Sequence, residues 1–117
     1  MLDRGAGPGP TPYTRPVVVL ADTACFSATD IFLGAFQGHR NVTILGTTSG
    51  GGSGRTQSHR LAHSGITVRL STMASFRADG RLYDGRGVDP DVRVLPQPHD
   101  FTGASDAVLE AALKRLR

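Results

Sequence analysis

The residue with the clearest prospect of chemistry in this 117-residue chain is Ser27, set within residues 24–36, ACFSATDIFLGAF. Residues 16–21 before it form a continuous, β-branched apolar run of the kind that fills a strand buried on both faces. After it, Ala28, Ile31, Phe32, Ala35 and Phe36 recur at helical spacing with Thr29, Asp30 and Gln37 between them, which predicts an amphipathic helix. Ser27 thus opens the first helical turn, beside free backbone N–H groups and the positive end of a helix dipole, where an alkoxide or oxyanion is stabilised. Serine is also a preferred helix N-cap, and from position alone the cap is the plainer reading.

A nucleophilic serine needs a base within hydrogen-bond reach, so every candidate base matters. His59 and His63 lie where polar and apolar residues mix as on a half-exposed strand, His39 follows the helix and can cap its end, and His99 sits in a Pro-rich loop. Each reads as a surface residue. The chain's one lysine, Lys114, belongs to the C-terminal helix. Cys25 reads as a small packing residue, and no spacing among it and the histidines matches a metal site, so neither metal nor organic cofactor is expected. Asp84 precedes Gly85 and is by type an ordinary turn aspartate. The Gly-rich run 50–54 follows a strand ending at Gly46 but lacks the lysine and helix of a phosphate-binding loop.

The elements that must position these residues are legible around them. Residues 42–46 read as a strand, and 55–63 and 65–76 as two strands joined at Ser64 and Gly65. In the second of these, Ile66, Val68 and Leu70 alternate with Thr67, Arg69 and Ser71 as on a half-buried strand. Residues 78–81 form a turn, and Asp91 is placed to tie down a loop through backbone hydrogen bonds. Residues 106–117 predict a helix with Val108, Leu109, Ala112, Leu113 and Leu116 on one face, packed on the sheet. Residues 1–15 are a Gly/Pro-rich flexible lead-in without the apolar run of a signal peptide, and residues 16–117 form the folded unit. A net charge of +3 spread over scattered arginines, with no basic run and few aromatics, argues against nucleic-acid binding. No stretch is long and apolar enough to span a membrane.

Residues 16–94 resemble the catalytic core of the C-terminal-processing (tail-specific) serine peptidases and the related tricorn-protease core. Three elements carry the likeness: Ser27-Ala28-Thr29-Asp30 after an apolar strand, the Gly-rich segment 48–54 after the strand 42–46, and Gly85-Arg86-Gly87-Val88-Asp89-Pro90-Asp91 near the core's end. The resemblance implies an α/β fold, the β-β-α superhelix shared with Clp-type proteases and crotonases, here as a partial domain in which residues 16–117 are the C-terminal part of the catalytic domain. It implies Ser27 as nucleophile, Asp84 as acidic partner and the Ala28 N–H as half of an oxyanion hole, with Gly50, Gly51, Gly52 and Met73 shaping a flexible cleft for a protein or peptide substrate. The C-terminal-processing branch places its base, a lysine, where this chain has Gly52; the tricorn-like branch uses a histidine from an earlier part of the domain. The expectation is therefore a fragment that needs an upstream half, or that self-associates through uncovered apolar surface. The alternative is a non-catalytic domain of the same fold that binds peptides or hydrophobic ligands. For the parent, the resemblance implies the cell envelope or secretion.

Overall fold

In the computed structural model, residues 11–103 and 105–117 are described. The apolar run becomes strand β1 (Val17–Ala21), and helix α1 (Ala28–Phe36) then carries the chain back to β2 (Val42–Gly46), which pairs parallel with β1 from Val17 opposite Val42 to Ala21 opposite Gly46. Parallel pairing demands such a crossover, because a tight turn can only reverse direction. A short β5 (Val92–Arg93) adds to the far side of β2, again parallel. The Asp91 carboxylate accepts from the Ile44 N–H at 2.8 Å while the Asp91 N–H donates to the Ile44 carbonyl at 2.8 Å, so this side chain locks β5 in register, as its sequence context implied. Helix α2 (Ala107–Leu116), N-capped by Asp106 through the Leu109 N–H, packs on β1 and β2.

Strands β3 (Thr56–Arg60) and β4 (Thr67–Ser71) form a separate antiparallel hairpin. Its register puts Leu61, Ile66, Val68 and Leu70 on one face and Ser58, Arg60, Thr67 and Arg69 on the other. The alternation is thus as expected, but the apolar face is not half-buried: Ile66 and Leu70 remain 60% and 55% exposed because no described element covers them. Helix α1 departs from expectation in the same way. Its predicted apolar face, with Ile31 and Phe32, stands exposed, whereas the buried face holds Leu33 and the charged Asp30.

The core is small: Ala21, Leu33, Ile44, Tyr83 and Val88, with Val19 and Cys25 against it. Burial of each larger aliphatic member stabilises the fold by about 2 kcal/mol. Val88 reaches the core on a turn in which Gly87, at φ 66°, packs against the Ser49 backbone. A side chain there is strained twice, by the left-handed backbone and by overlap with the Ser49 carbonyl. Gly80 shares the positive φ but faces open space. Gly80→Ala is therefore expected to cost roughly 1 kcal/mol, and Gly87→Ala at least about 2 kcal/mol more, as measured by urea unfolding; equal losses would place no weight on the Gly87 contact.

Candidate active site

The loop from β1 to α1 is built by Asp22, whose Oδ1 accepts from the Ala24 N–H at 2.8 Å and the Cys25 N–H at 3.1 Å. This turn delivers the chain to Ser27 with φ 61° and ψ −117°, the one described non-glycine residue at positive φ. A conformation of that kind costs on the order of 1–3 kcal/mol and persists only where its surroundings enforce it. A strained serine on a sharp strand-to-helix turn is also the arrangement that projects a nucleophilic hydroxyl clear of the backbone. The plain cap does not form: Ser27 precedes α1, but its side chain makes no capping hydrogen bond.

Asp30 supplies the enforcement. One turn into α1 and fully buried, it accepts the Ser49 hydroxyl and the Gly51 N–H on Oδ1, and the Gly52 N–H on Oδ2, both amides at 3.0 Å. Burial alone would raise its pKa, but the Ser49 hydroxyl and the Gly52, Gly51 and Ser27 amides favour the carboxylate more strongly and hold it below its ordinary value. Ser49 in turn accepts from the Val88 N–H at 2.8 Å, and the Gly51 carbonyl accepts from the Gly85 N–H at 2.7 Å. One carboxylate thereby joins the Ser27 turn, the Gly-rich segment and the turn that carries Asp84.

The sequence-derived site residues fall around this knot. The Gly50 N–H donates to the Cys25 carbonyl at 2.7 Å, so with Gly51 and Gly52 bound to Asp30 the Gly-rich segment is pinned at three successive amides rather than loose. The Phe26 ring lies over Gly52, where a Cβ would overlap it. Ala28 is the first residue of α1, where its N–H has no helical acceptor. Asp84 is partly exposed, and among the described residues its carboxylate has no hydrogen-bond partner. Met73 is 47% exposed and lies near Gly54. All four histidines are exposed, Lys114 is exposed in the last turn of α2, and none of these hydrogen-bonds Ser27. By periodicity alone Asp30 falls on the polar side of α1. Its spacing three residues after Ser27, that of a capping box, was the available signal.

The pattern that defines Peptidase family S41 matches residues 3–94. The chain belongs to that family. This S41 chain is 33% identical over 101 residues to the carboxy-terminal-processing protease of Bartonella bacilliformis, covering 86% of this chain and 23% of that one. It is 30% identical over 111 residues to the tricorn protease of Thermoplasma acidophilum, covering 93% of this chain and 10% of that one. A crystal structure from Parabacteroides merdae superposes with a TM-score of 0.80 at 33% identity, over 91% of this S41 chain and 33% of the other. The fold is accordingly that of the S41 peptidase core, the β-β-α superhelix, of which the chain represents a part. It spans about a quarter or less of the length of these curated relatives. No helix among its described residues is long and apolar enough to cross a membrane.

Because the folded-state pKa of Asp30 is depressed, its contribution to stability is complete above the ordinary value of 3.8 and is lost as pH falls through the lower folded value. Asp30→Asn leaves a buried donor facing another donor and is expected to cost about 2 kcal/mol at neutral pH. Urea unfolding across the acid range checks both statements: the variant loses less stability below pH 3.8 than the parent.

Proposed function

We propose that this chain is the nucleophile-bearing part of a serine-type endopeptidase of the C-terminal-processing and tricorn-like kind. The observation that carries the reading is the strained backbone of Ser27, which leaves its hydroxyl uncommitted at the start of α1. In this reading Ser27 Oγ attacks the scissile carbonyl carbon as its proton passes to a base, and the resulting oxyanion is held by the Ala28 N–H as one of its donors. Collapse breaks the C–N bond, the leaving amine takes up the proton, and the acyl-enzyme remains on Ser27. Water then attacks the ester by the same route and releases the acid. The reaction uses no metal or organic cofactor.

Asp84 serves as the acidic partner that orients the site, on the turn fastened to Gly51. Gly50, Gly51, Gly52 and Met73 wall the cleft for a protein or peptide substrate. Since no described histidine or lysine bonds Ser27, the base comes from outside these 117 residues, in an upstream half that also covers the bare faces of α1 and the hairpin. The parent works in the cell envelope or outside the cell. That same lack of a base beside Ser27 favours the second reading, a domain of this fold that binds peptides or hydrophobic ligands without cleaving them.

A fluorophosphonate probe separates the two. The catalytic reading expects the chain joined to the upstream half that holds the base to be labelled on Ser27, as located by peptide mass mapping, and Ser27→Ala to lose the label. A folded protein that contains both halves and still resists labelling contradicts the peptidase reading and supports the binding domain.

A further inference from the structure

The carboxyl ends of all three parallel strands open onto one cleft of about 280 Å³. In open α/β sheets this edge is where ligands bind. The volume is at the small end for ligand pockets and suits one side chain rather than a cofactor. Cys25 forms part of its wall, two residues before Ser27, so the cleft adjoins the strained turn along the chain.

Its chemistry is one-sided. Leu20, Val94 and Val108 give apolar walls, and Phe101, 80% exposed, adds an aromatic face. The charged residues in the lining are Asp22 and Asp106, and no described lysine or arginine takes part. Both carboxylates are already fixed in place by local backbone: Asp22 Oδ1 by the Ala24 and Cys25 amides, Asp106 Oδ1 by the Leu109 amide at 2.9 Å. Each keeps its Oδ2 free of described partners. The N-terminus of α2 offsets part of the Asp106 charge, but Asp22 stands at the end of a strand with no helix behind it.

We infer that this cleft is a specificity pocket for a basic side chain, lysine or arginine, of a bound peptide. The occupant's methylene stem lies along the apolar walls, and its cation meets the Asp22 and Asp106 carboxylates and the Phe101 ring. The inference rests on the peptide-substrate reading above and adds the class of residue recognised. Asp22 thereby acts twice, shaping the turn before Ser27 through one oxygen and reading the substrate through the other.

The test uses the full chain and two fluorescein-labelled alanine-based pentapeptides, one with a central lysine and one with norleucine, whose side chain has the stem without the charge. Fluorescence anisotropy is expected to show saturable binding, with the lysine peptide preferred by about tenfold at low salt. Asp22→Asn and Asp106→Asn retain the oxygen that accepts the backbone amides, so circular dichroism should be unchanged while the preference falls several-fold in each. Equal affinities, no binding of either peptide, or a preference that survives both substitutions overturns the inference. Fluorophosphonate labelling of the chain joined to its upstream half, run in parallel, keeps the two readings distinct: labelling without lysine preference rejects the pocket alone, and lysine preference without labelling rejects the peptidase chemistry alone.

Discussion

The buried Asp30 carboxylate is the constraint on which the rest of this structure depends. Moving a carboxylate out of water costs several kcal/mol, and it is tolerated only where charge-assisted hydrogen bonds replace the lost hydration. Here a hydroxyl and two successive glycine amides do so. The bonds run between elements distant in sequence, so satisfying one charge also fixes where they sit. Ser49 passes the constraint to Val88 in the core, and Gly51 passes it to the turn at Gly85. With α1 anchored through Asp30, the Ser27 backbone is held in a conformation that an isolated serine would leave.

Much of this was legible in the residues. The β-branched run at 16–21 and the helical spacing after Ala28 place Ser27 at a strand-to-helix seam, because both signals reflect local backbone preference. The parallel partner strand at 42–46 and the helix near the C-terminus follow from the same kind of pattern. Asp91 could be assigned to a tie between loops from its place after Pro90, although its acceptance of the Ile44 amide depends on pairing between β2 and β5 that no local pattern encodes.

The faces were less legible than the elements. Periodicity marks Ile31 and Phe32 as the buried side of α1 and Asp30 as the wet side, and the structure has the reverse. A hydrophobic pattern identifies surface that some neighbour must cover, but not whether that neighbour lies within the same 117 residues. The apolar face of the β3–β4 hairpin follows the same rule. Asp30 escapes the pattern for a different reason: its burial depends on amide donors some twenty residues away, in a glycine-rich segment that carries no periodic signal. The carboxylates of the cleft at the strand ends were likewise visible as residues but not as lining of one cleft, since Asp22 and Asp106 come to the same cleft only through the packing of α2 on β1.

The most direct measurement is the ¹³Cγ chemical shift of Asp30 followed by NMR as pH is lowered, with the amide shifts of Gly51 and Gly52 recorded in the same titration. If this carboxylate organises the site, it titrates below the ordinary value of 3.8 and both glycine amides move with it. An Asp30 that titrates at or above that value, or glycine amides indifferent to its charge, would contradict the account.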